Sequence, residues 1–179
     1  KMGSSVDVCI QRVLLNWFFA EGKETHIFVR RVMKNDGKQT LLQMALAAIV
    51  VLHFAVVLWH GSAHNNVPVP ITTMQTAFVA IVILLLPLAG AALTWSRFRQ
   101  IGAWLVALSM LGSLLFGVIN HFIFASPDNV AQVPEHAARH SFVLSAYLLV
   151  VTEALGTVIG LIALRALFQN RHRNIINNL

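Results

Sequence analysis

Apolar positions in this chain fall in four long unbroken runs, at 41–59, 71–93, 101–124 and 141–164. Crossing a bilayer takes about 20 residues of helix, and each run is close to that length. The runs do not alternate apolar and polar positions, so membrane strands are excluded and helices are the spanning structure they predict. Each interior carries few interruptions: His53 in the first run, Pro87 late in the second, Glu153 near the middle of the fourth. Short connections of about ten, six or seven, and sixteen residues force neighbouring spans to be antiparallel. The pattern therefore predicts an all-α integral membrane protein, a four-helix up-down bundle.

Before the first run the periodicity changes. Ile10, Val13, Leu14, Trp17 and Phe18 recur at i, i+3, i+4, i+7 and i+8, with Gln11, Arg12 and Asn16 elsewhere on the wheel. This is the pattern of an amphipathic helix lying on a membrane or against a partner. Its apolar stretch is short and is followed by charged residues 21–24, unlike a cleavable signal peptide. A second short basic helix is predicted over 25–34, leading to the turn Asn35-Asp36-Gly37. The chain thus divides into an amphipathic, basic N-terminal segment (1–39), the four-helix bundle (40–165) and a cytoplasmic tail (166–179).

Composition agrees. Of 179 residues, 57% are hydrophobic and 11% charged, and the mean hydropathy is +0.71. A soluble domain of this size has too little interior to hide that much apolar surface. Cys9 is the sole cysteine, so no internal disulfide is available. The 13 basic residues are distributed unevenly. Twelve precede the first run, separate the second from the third, or follow the fourth, and only Arg139 lies on the other side. That asymmetry predicts cytoplasmic termini and a bacterial inner (cytoplasmic) membrane location. It also accounts for the basic charge through anionic headgroups, with no motif for nucleic acid. Trp59 is expected at the outer interface, and Trp95 and Trp104 at the inner one.

With this topology six of the eight histidines gather toward the outer side. His53, His60 and His64 project from one stripe, provided the first helix continues to His64. His136 and His140 form a second H-x-x-x-H pair, expected on the first turn of span four, which is read as starting at Pro134-Glu135. His121 arrives at the same level on span three. Imidazoles at i, i+4 offer two ligands to one metal, so His60, His64, His121, His136 and His140 are candidate ligands for Zn, Cu or Fe. Asp128 or Glu135 would then be a carboxylate ligand or an outer partner. His53, about 10 Å deeper than His60 by helical rise, is the alternative candidate: an axial ligand to a haem or chlorophyll-type tetrapyrrole.

Glu153 is a candidate cofactor-contacting or proton-handling group. A carboxylate at that depth is costly and is expected to be protonated, paired or facing a polar cavity. Helical geometry sets it about 20 Å below His140 and rotated away from it, outside the outer cluster, with Thr152, Thr157 or Asn120 as possible partners. Gly156 and Gly160 follow on its face and predict close approach of another helix. The chain has no G-x-S-x-G, Walker A, dinucleotide or Cys-x-x-Cys-His motif, so hydrolase, kinase and dehydrogenase chemistry lack a foothold. Two functions fit these features. One is a small accessory subunit of a larger respiratory or photosynthetic membrane complex, docked to other membrane-protein subunits through its N-terminal segment. The alternative is a stand-alone membrane metalloprotein, an oxidoreductase or metal carrier.

Overall fold

Among the described residues four helices are long and apolar enough to cross a membrane: α1 (Gly37–Asn66), α2 (Thr73–Leu93), α3 (Arg99–Ile123) and α4 (Arg139–Asn170). The helix of α4 continues to Asn177. The computed structural model describes residues 37–177 except Pro68, and the side chains only as far as residue 170 and at Ile176. The helices expected over 10–18 and 25–34, His26 and the side chain of His172 lie outside the described residues. No strand occurs among the described residues. The described residues from Leu41 onward form one compact unit.

Each helix boundary has a local cause. Thr72 opens α2 with a reciprocal cap: its hydroxyl accepts from the Gln75 N–H at 3.2 Å, while Gln75 Oε1 accepts from the Thr72 N–H at 2.9 Å. Further on, α2 widens into a π-helix over Val79–Leu85. Pro87 comes two residues after it and has no N–H to give the Ile83 carbonyl, its α-helical partner four residues back. His53 supplies the missing donor from α1, its Nε2 lying 3.2 Å from Ile83 O. A second π turn, Ile119–Ile123, ends α3 and contains His121. Two boundaries differ from the sequence pattern. α1 runs on to Asn66, which carries His60 and His64 on the helix. α4 begins at Arg139 rather than at Pro134-Glu135. His136 instead lies in the preceding turn, where its Nδ1 accepts the N–H of Ala138.

The core is built where small residues let backbones approach. A Cβ added to Gly102 would lie 2.6 Å from the Gly90 carbonyl oxygen and 2.7 Å from the Thr94 nitrogen, so α2 and α3 cross there in backbone contact. Gly160 packs against the Ala107 backbone and Cβ, and Gly156 against the side chain of Met110. The small-residue stripe of α4 thus receives α3. Around these crossings Leu46, Ile49 and Val50 from α1 join Ala91, Ala103, Val106 and Met110 in one buried cluster. Gln43 Nε2 donates to the Thr94 carbonyl at 2.7 Å, tying the start of α1 to the end of α2. Trp59, Trp95 and Trp104 are all exposed.

Candidate metal centre

His60 and His64 leave α1 one turn apart, and the π turn at the end of α3 brings His121 beside them. The loop after α3 then folds back over that end. Val130 N–H donates to the His121 carbonyl at 2.9 Å, and Asn129 Nδ2 donates to the Phe124 carbonyl at 2.9 Å. This return places Asp128 against two of the histidines. Its Oδ1 lies 3.0 Å from His64 Nε2 and 3.2 Å from His121 Nδ1. Phe142 of α4, fully buried, forms an apolar wall with ring centroids 4.9 Å from His60 and 4.8 Å from His64.

One ligand atom from each of His60, His64 and His121 lies within 4.8 Å of the others, and all three side chains are buried. Their partners fix which nitrogen is free. Ser145 Oγ already donates to the Ser141 carbonyl at 2.6 Å, so at 2.9 Å it accepts from His60 Nδ1. That leaves His60 Nε2 with a lone pair. The carboxylate of Asp128 draws the proton of His64 to Nε2, leaving Nδ1 with the lone pair. His121 Nδ1 faces the Asp128 carbonyl at 3.1 Å and the carboxylate at 3.2 Å, leaving Nε2. His60 Nε2 and His64 Nδ1 are buried with no hydrogen-bond partner among the described residues. Burial without a partner is costly for a polar nitrogen. This pattern, one nitrogen held and the other bare, is that of metal-ligating histidine.

The separations fit a metal after a small closure. A tetrahedral zinc with bonds of about 2.0–2.1 Å sets its nitrogens about 3.4 Å apart, against one nitrogen from each ring within 4.8 Å of the others here. Such a His60/His64/His121 cluster could hold a metal ion. Asp128 is electrostatically suited to stand beside it. Burial pushes its carboxyl up, but hydrogen bonds from His121 and His64, and their charge, outweigh that and hold it well below the usual carboxylate range.

The remaining candidates lie elsewhere. His136 and His140 are exposed and are not part of the buried group. Glu135 pairs with Arg139 on the exposed turn before α4. Both His53 nitrogens are engaged inside the bundle, Nε2 with Ile83 O and Nδ1 with Thr152 Oγ1 at 3.4 Å, which leaves neither free for an axial bond. Glu153 is buried, and its Oε2 has no hydrogen-bond partner among the described residues. Its expected partners are committed otherwise. Thr152 hydroxyl donates to Leu148 O, Thr157 hydroxyl to the Glu153 backbone carbonyl, and Asn120 Nδ2 to Phe116 O. Glu153 nevertheless lines the same cleft, of about 480 Å³, as His60, His64, His121 and Asp128.

Ser145, Phe142 and Gly117 escape a reading of the sequence. A serine and a phenylalanine in an apolar helix carry no spacing that marks them, and only the register of α4 against α1 gives them a role. Compared with known protein families, curated proteins and solved structures, the chain matches none.

Proposed function

We propose that this chain is an integral membrane metalloprotein whose His60, His64 and His121 bind one transition-metal ion, zinc being the best match. The observation that supports the reading is the convergence of three buried imidazoles, one nitrogen of each within 4.8 Å of the others, with Ser145 or Asp128 beside each ring and His60 Nε2 and His64 Nδ1 left without a partner among the described residues. Three neutral histidines with a carboxylate behind them are a donor set suited to zinc, and to copper or iron at lower preference. A zinc ion held by these three histidines would supply Lewis-acid chemistry there, or would be carried as cargo. The chain's own residues fix the tautomers, exclude bulk water through Phe142, and set the ion at one end of the bundle.

In this reading the helices alternate up and down with both termini cytoplasmic, as the twelve-to-one distribution of basic residues requires. The metal end then faces away from the cytoplasm. Membership of a larger complex draws on residues 10–18 and takes no support from the site geometry. A tetrapyrrole on His53 is disfavoured because both ring nitrogens already have partners.

Cobalt substitution tests the proposal. Protein stripped with chelator and loaded with Co²⁺ should bind one equivalent and develop the strong visible bands of a tetrahedral, nitrogen-ligated ion. His60→Ala with His121→Ala should abolish them, whereas His136→Ala with His140→Ala should leave them unchanged. Bands that survive the first pair, or vanish with the second, would overturn the assignment.

A further inference from the structure

The cleft is far larger than an ion requires. At about 480 Å³ it lies in the range of small-molecule sites, and most of its wall is apolar: Val57, Ile83, Leu84, Phe116 and Leu149 all line it. Its polar groups are gathered at two poles. One is the histidine cluster. The other is Glu153, 1% exposed, whose Oε2 has no hydrogen-bond partner among the described residues. The poles are close together. A Cβ at Gly117 would lie 3.5 Å from Glu153 Oε2, and Gly117 precedes His121 by four residues on α3, about 6 Å of helical rise. Because Gly117 has no side chain, the space between them stays open. The exposed members of the lining are Leu58, Gly61, Ser62 and Asn65 of α1 and Ile71 ahead of α2, so the mouth is polar on one side and apolar at Leu58 and Ile71.

We infer that this cleft binds a lipid-soluble quinone or its quinol, with one ring oxygen hydrogen-bonded to the Glu153 carboxyl. Three features select that class. The occupant must reach a cleft whose mouth is apolar at Leu58 and Ile71, so it partitions into the bilayer. Its body must be apolar to lie along Val57, Ile83, Phe116 and Leu149, which line the cleft. It must also satisfy a buried carboxyl, which in lipid has no water to turn to. A carboxyl group serves both redox forms: as the acid it donates to a quinone carbonyl, and as the carboxylate it accepts from a quinol hydroxyl. The inference does not depend on metal in the cluster, because Glu153 and the apolar walls define the pole that grips the ring.

Decylubiquinone is the probe, titrated into the purified full chain in phosphatidylcholine nanodiscs and read by calorimetry. One saturable equivalent per chain is expected, with Glu153→Leu weakening it at least tenfold and Glu153→Gln, which can still hydrogen-bond, weakening it less. Zinc stoichiometry should stay the same in both variants, which separates failure here from failure of the metal reading. A diazirine-bearing quinone, photolysed on the unmodified protein, supplies a test that needs no variant. Label is expected on peptides containing Val57, Ile83 or Phe116. Non-saturable uptake, equal affinity in Glu153→Leu and the parent chain, or label confined to other peptides would overturn the inference.

Discussion

At the scale of single residues, the chain separates two uses of buried histidine by what their second nitrogen touches. His53 donates to a backbone carbonyl that Pro87 leaves without a helical partner, and its other nitrogen meets Thr152. It is a structural plug. Replacing it with Leu should strand the Ile83 carbonyl and cost about 1–3 kcal/mol of stability in a detergent-denaturation titration, with metal stoichiometry unchanged. Loss of metal in that variant would mean His53 is a ligand after all. His60 is the opposite case, with Ser145 holding Nδ1 at 2.9 Å and nothing on Nε2. Ser145→Ala frees the ring to rotate and change tautomer, so metal affinity should fall by about 10–100-fold while the helices stay formed. Competition with a calibrated chelator measures it. An unchanged affinity would show that Ser145 does not orient the ligand.

At the scale of elements, crossings between helices are set by glycines rather than by large apolar side chains. At Gly102 the would-be Cβ meets backbone atoms of α2 that cannot move aside, the closest at 2.6 Å. Gly102→Val should therefore force α2 and α3 apart and destabilise the bundle by about 1–3 kcal/mol or more. Gly112→Ala is the control, since its Cβ would lie an ordinary 3.6 Å from Val82 Cγ1. Equal stability in the two variants would contradict the crossing. The four spans were legible in the sequence because apolar run length is a strong signal. The stripe His60/His64 and the close approach at Gly156 and Gly160 were legible too, because helical periodicity alone fixes them. The role of the second pair was not. His136 and His140 have the right spacing, but the chain turns before Arg139, and a spacing means nothing until the residues share a helix. The π turn that aims His121 left no mark in the sequence, since one extra residue per turn changes direction without changing composition. Glu153 was expected to stand apart from the histidines on a single wheel. It lines their cleft because Gly117 on a different helix leaves the intervening space empty.

At the scale of the whole molecule, the proposed topology puts the basic residues at one end of the bundle and the buried imidazoles at the other. The account orients it with the termini and the Arg97/Arg99 loop in the cytoplasm. A membrane-impermeant thiol reagent applied to intact cells should label a cysteine introduced at Asn66 and miss one at Gln169, in a Cys9→Ser background; the reverse pattern would invert the molecule. The claim on which everything else rests is the three-histidine centre. Zinc K-edge X-ray absorption on the natively purified, zinc-loaded protein reads it directly. The account predicts about three imidazole nitrogens at about 2.0 Å, with the outer-shell scattering of ordered rings, lost when His64 is replaced by Ala. A spectrum fitted by oxygen ligands alone, or one identical in the parent chain and His64→Ala, would contradict it.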